Sequence, residues 1–153
     1  MDLDYGIIGN CRTAALVHKD SSIDWLCFPR FDSSSVFAKI IDEKKGGFFK
    51  ILCDNEYKIS QKYIDNTNVL ETSFITQKNS FKLIDYFPHY EMGSKTELYK
   101  DLELHRLFFI EKGAPNIKII IDPRFVYGSE IPNKRIENDH IIFESNNEKL
   151  YLY

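Results

Sequence analysis

Tyr5–Phe37 reads YGIIGNCRTAALVHKDSSIDWLCFPRFDSSSVF, and its reading decides the fold of this chain. Two apolar runs, Ala14–Val17 and Ile23–Phe28, flank the polar stretch His18–Ser22. That is the pattern of a β-hairpin with a short loop. Pro29 lacks a backbone donor and fixes φ, so the second strand ends at Phe28. Arg30, Phe31 and Asp32 then fall on an irregular loop, followed by Ser33, Ser34 and Ser35. A serine here can accept from the first free N–H groups of a helix, so a short helix is expected over Val36–Ile41. Charged and aromatic side chains are thereby concentrated in a loop between rigid elements, where function tends to sit.

Outward from this stretch the apolar period is mostly two. Phe48–Leu52 follows the turn Gly46-Gly47, and Tyr57–Ile64 reads as extended. Val69–Ile75 places Leu70, Thr72 and Phe74 on one face. Phe81, Leu83, Asp85 and Phe87 alternate with Lys82, Ile84 and Tyr86 until Pro88, and Gln77–Ser80 joins the two as a hairpin. Leu104–Ile110, Ile117–Ile121, Ile141–Phe143 and Leu150–Tyr153 read as further strands, and Glu91–Asp101 as a mobile loop. About ten strands and one short helix predict an all-β fold, an antiparallel sandwich or barrel. The apolar ending Leu150-Tyr151-Leu152-Tyr153 looks like a chain cut inside a strand pattern.

The 153 residues suit one domain, residues 1–153. A net charge of −3 and a pI near 5.8 argue against a nucleic-acid binder, which usually shows a basic face. No apolar run approaches the roughly 20 residues of a membrane span, and no signal peptide is visible. Cys11, Cys27 and Cys53, an odd set without close spacing, suggest reduced thiols and a cytoplasmic protein. A Cys11–Cys27 bridge across adjacent strands is conceivable. His18, His89, His105 and His140 show no metal-ligand spacing, so neither metal nor cofactor is expected.

The opening stretch resembles the N-terminal domain of glycoside hydrolase family 15, the glucoamylase and trehalase-like enzymes. The residues that carry the likeness are Tyr5–Val17 and Ser22–Ser33, against a pattern of roughly YG-I-GN-TAALV and SIDWLC-PRFDSPSVFA. Ser34 stands where that pattern has Pro, and Ser21 where a turn Gly is common. Three later elements follow in the family's order: Tyr63–Thr72, Asp85–Pro88 and Asp122–Gly128. The resemblance implies a β-sandwich of the super-sandwich type, followed in the parent enzyme by an (α/α)6 barrel. The barrel carries the catalytic glutamates and is absent from this chain. The implied parent removes glucose from α-glucan ends, or splits trehalose, with inversion; the sandwich packs on the barrel.

An inverting glycosidase needs two carboxyl groups about 6.5–9.5 Å apart. Glu71 and Asp85, on neighbouring predicted strands, come nearest to such a pair, and no catalytic residue is expected in this chain. The loop is the sharper candidate. Arg30 can grip a carboxylate with two prongs, and Asp32 is either its partner or a cap. Trp25 either stacks on a sugar or fills the core. Pro29, Arg30, Phe31 and Asp32, with Trp25, are candidates for a barrel interface or pocket rim. Asn10 and Arg12 join them, because the hairpin brings them near Arg30. A separate reading, a carbohydrate-binding module, would use Tyr57, Tyr63 or Tyr99 as stacking platforms. An apolar docking face also predicts dimers or higher oligomers of the isolated chain.

Overall fold

The computed structural model describes residues 4–53, 56–91, 98–99, 102–146 and 148–153. In chain order its strands are β1 (Tyr5–Gly9), β2 (Ala14–His18), β3 (Ile23–Cys27), β4 (Ser35–Phe37), β5 (Phe48–Cys53), β6 (Lys58–Tyr63), β7 (Leu70–Ile75) and β8 (Ser80–Tyr86). They continue with β9 (Tyr90–Glu91), β10 (Leu98–Tyr99), β11 (His105–Lys112) and β12 (Ile117–Asp122). A single helical turn, α1 (Phe125–Gly128), precedes β13 (Asn133–Ile136), β14 (Ile141–Ser145) and β15 (Glu148–Leu152). One sheet runs β1-β2-β3-β5-β12 with β4 beside β3; the second runs β11-β8-β7-β6. Every pairing is antiparallel. Of the predicted loop 91–101, β9 and β10 form a small pair, and the remainder lies outside the described residues.

Period-two alternation explains the layers. Ile8, Ala15, Val17, Ile23, Phe49 and Ile51 of the first sheet meet Leu70, Phe74, Phe81 and Leu83 of the second in one buried cluster. Phe74 and Phe81 are cross-strand partners whose rings stack 4.4 Å apart and 6° from parallel. Tyr57 closes on both rings edge-on. The three-stranded sheet β13-β14-β15 adds Phe143 to the cluster, with Ile141, Leu150 and Leu152 packed against it.

Three elements differ from the sequence reading. Tyr5–Gly9 is the first strand, whereas the sequence suggests Ala14 as the start. Its two glycines mask the alternation, because glycine is depleted in strands. A Cβ at Gly6 would sit 2.7 Å from a Leu70 methyl of the facing sheet, so a larger residue would have to displace that side chain. The expected helix Val36–Ile41 is instead strand β4 and a turn. Val36 and Phe37 favour a pleated surface, Phe37 pairs with Leu26, and the Val36 carbonyl accepts from the Arg124 N–H at 2.9 Å. Only the Ala38 carbonyl takes helix-like bonds, from Ile41 and Asp42. Asn133–Ile136 is a strand exposed along its whole length, so it carries no alternation to read. No described helix is long and apolar enough to cross a membrane, and none of the three cysteines forms a disulfide.

Candidate functional site

The β1–β2 turn is fixed by Asn10. Its side chain is fully buried, and its Oδ1 accepts from the N–H groups of Arg12 and Thr13, both at 3.0 Å. The Thr13 hydroxyl donates to the Cys27 carbonyl, tying the turn to the end of β3. The loop after the cis Phe28–Pro29 bond then closes on the same turn, with the Phe31 N–H donating to the Arg12 carbonyl at 3.0 Å. Arg12 and the Arg30 loop are therefore neighbours, as the hairpin predicts. Asn10 lies inside the turn rather than on its surface.

Ser33 closes a turn instead of capping a helix. Its hydroxyl accepts from the Arg30 N–H and its own N–H donates to the Arg30 carbonyl, both at 3.1 Å. Arg30 and Asp32 pair through two bonds of 3.0 and 3.1 Å, with their side chains 63% and 71% exposed. Such a pair is worth ~1 kcal/mol or less. Phe31 beside them is 60% exposed. The strand and the hydrogen-bonded turn hold the backbone; the three side chains face solvent.

Trp25 is half-buried, and its ring lies 6.3 Å from that of Tyr127, tilted 38°. The Tyr127 hydroxyl donates to the Ser33 carbonyl at 3.3 Å. The sequence reading quotes Tyr127 within Asp122–Gly128 but gives it no role. What brings it here is backbone geometry: Val126 and Tyr127 have φ of 51° and 56°, and Gly128 follows at 85°. Left-handed φ is unusual for a β-branched residue and costs on the order of 1–3 kcal/mol per residue. The turn is held by reciprocal backbone bonds between Phe125 and Glu130, and by Ser145 and Asn146 donating to the Glu130 carboxylate. Gly128 has no room for a side chain, since a Cβ would meet the Lys45 carbonyl at 2.7 Å. Beside Tyr127 an open cavity of about 560 Å³ is lined by Lys44, Lys45, Arg124, Gly128, Ser129 and Ile131, with no carboxylate in its lining. Arg124 is held by Asp122.

The remaining carboxylates of the opening stretch serve the framework. Asp24 is buried and accepts from the hydroxyls of Tyr5 and Ser22, with the Lys39 ammonium 3.5 Å away. Asp20 is pulled two ways. Burial would raise its carboxyl, but hydrogen bonds from Lys50, His18 and the Ser22 N–H, with the charge of Lys50, bring its pKa down to about 2.

Glu71 and Asp85 cannot act together. Glu71 pairs with Ile84 across the β7–β8 ladder, and Asp85 with Leu70, so their side chains leave opposite faces of the sheet. Glu71 lies on the outer face between Lys62 and Lys82. The hydrogen bond from Lys82 to Glu111 raises the pKa of that lysine, helped by the charge of Glu71. Asp85 is fully buried against Arg106. Tyr57 sits against the phenylalanine stack and offers no free platform, whereas Tyr63 is 43% exposed with its hydroxyl engaged with the backbone of Ile7. The side chain of Tyr99 lies outside the described residues. Among the described residues no group of three or more His, Cys, Asp or Glu is placed to hold a metal.

The geometry is that of a framework with one exposed aromatic and cationic end, and comparison with known proteins fits it. The family model described as trehalase-like, N-terminal matches residues 4–153. A trehalase of Thermoplasma volcanium is 37% identical over 151 residues, which are 95% of this chain and 23% of that protein. Trehalase 2 of Sulfolobus acidocaldarius is 31% identical over 96% of this chain and 23% of its own. Trehalase 1 of the same organism is 36% identical over 90% and 22%. The chain thus spans about a quarter of the length of these relatives, and no solved structure matches it. The chain belongs to the trehalase-like N-terminal domain family.

Proposed function

We propose that this domain is the non-catalytic framework of a longer glycoside hydrolase, supporting the fold of a catalytic barrel that hydrolyses an α-glucosidic bond. The observation that carries this is the match of nearly the whole chain to about a quarter of several trehalases. Between the two parents the resemblance leaves open, the names of the relatives favour trehalose over an α-glucan. The parent acts in the cytoplasm, in keeping with three cysteines outside any disulfide. Arg12, Trp25, Arg30, Phe31 and Asp32, with Tyr127, form the end that meets the barrel. Hydrogen bonds tie their backbone, and all but the half-buried Trp25 project into solvent, which is the arrangement a docking surface needs at little ordering cost.

Deleting this domain from the longer enzyme tests the proposal. Trehalose hydrolysis should fall to background as the remaining chain loses its support. A soluble remainder with full activity would contradict it.

A further inference from the structure

The two sides of the sandwich are finished differently. On the β1/β6 side the layers are latched. The Tyr63 hydroxyl accepts from the Ile7 N–H at 2.7 Å and donates to its carbonyl at 2.9 Å, and Asn68 donates to the Gly9 carbonyl. On the opposite side β11 ends one sheet and β12 ends the other. Among the described residues no hydrogen bond joins these two edges.

Register shows that the core itself is open there. Ile110 is the partner of Phe81, which is fully buried, and so faces the interior; Ile110 is nevertheless 52% exposed. Ile119 is the partner of Ile51, which is 3% exposed, and is itself 50% exposed. On the outer face of β11, Leu107 and Phe109 are 40% and 52% exposed. Natural edges are shortened, charged or covered; a long apolar edge is a template for another strand. Here both layers present one at the same end.

We propose that the β11 and β12 edges are completed by strands of the same polypeptide, from the part of the longer enzyme that lies beyond this segment. These strands add main-chain hydrogen bonds to each sheet and close the core over Ile110 and Ile119. The occupant follows from length, since the trehalase relatives extend far past the 23% this chain spans. A second copy would have to cover two edges in different layers at once. The inference rests on the reading of the chain as part of a longer enzyme, but not on its activity.

Residue-resolved hydrogen exchange on the longer protein tests it. The β11 and β12 amides that point away from β8 and β5 should exchange on the order of 100-fold more slowly than in an unstructured peptide. The protection should be the same at all protein concentrations. Exchange within about tenfold of the unstructured rate would show the edges bare and overturn the proposal. Protection that disappears on dilution would assign them to a second copy and overturn it equally. As a check on the core, Ile119→Lys should raise exchange at both edges of the longer protein; unchanged protection there would count against closure. Trehalose hydrolysis plays no part in the readout. Loss of the hydrolase reading and loss of this proposal are therefore separable.

Discussion

Arg106 on β11 grips Asp85 on β8 with two bonds, Nε to Oδ1 at 2.8 Å and Nη2 to Oδ2 at 3.1 Å, inside the sandwich. Both side chains are almost wholly buried. The same guanidinium donates to the carbonyls of Phe49 in the facing sheet and of Ser21 in the β2–β3 turn, and lies over the Phe49 ring, 4.6 Å from its centre. One arginine thus spends its donors on both layers. A buried pair of this kind often contributes little net stability, but breaking one half leaves an uncompensated charge. Arg106→Met is expected to destabilise the domain by about 3–5 kcal/mol in urea melts. Adding Asp85→Leu should recover a large part of that loss. Additive losses in the double variant would show that the two residues are not coupled.

Acid should loosen the turn before β3. Asp20 has its folded pKa lowered from 3.8 to about 2 by Lys50, His18 and the Ser22 N–H acting against burial. A depressed carboxylate pKa contributes stability that is present above the unfolded value and lost as pH falls through the folded one. The loss therefore falls between about pH 4 and pH 2. Asp20→Asn should flatten the decline of melting temperature across that window and leave the behaviour above pH 5 unchanged in slope. A decline identical to that of the parent chain would remove Asp20 from the account.

How much of this was legible in the sequence depends on the element. Alternation in Leu70–Phe74 and Phe81–Phe87 identifies both strands and their core faces, because each has one wet and one dry side. Asp85 falls on the dry side of that pattern, and nothing local reveals the arginine 21 residues away that makes its burial tolerable. Tyr5–Gly9 stays hidden because glycine removes the side chains that carry the pattern. Val36–Ile41 shows serine capping chemistry, and pairing with β3 overrides it. Of the candidate site, the nearness of Arg12 to the Arg30 loop follows from the hairpin. Tyr127 does not, since left-handed backbone at Val126 and Tyr127 has no signature in residue type.

Arg30 separates a docking loop from a merely structural one. In the isolated domain its pair with Asp32 is exposed, so Arg30→Ala should cost ~1 kcal/mol or less. If, as proposed, the loop meets the barrel in the longer enzyme and is desolvated there, the same change should cost about 3–5 kcal/mol. Equal melting shifts in both proteins would place the loop away from any interface.

Phe31 extends the same test to apolar contact. It is 60% exposed in the domain, so Phe31→Ala should leave the domain's own melt within about 0.5 kcal/mol. Trehalose hydrolysis by the longer enzyme should fall at least several-fold after brief heating, because the docked domain would separate sooner. Unchanged heat resistance would exclude Phe31 from the interface.

The most direct measurement is glucose release from trehalose by residues 1–153 alone. Glu71 and Asp85 face away from each other, so the account predicts release no greater than that of a heat-inactivated control. Release above that control, abolished by Glu71→Gln, would contradict it by placing catalysis within this chain.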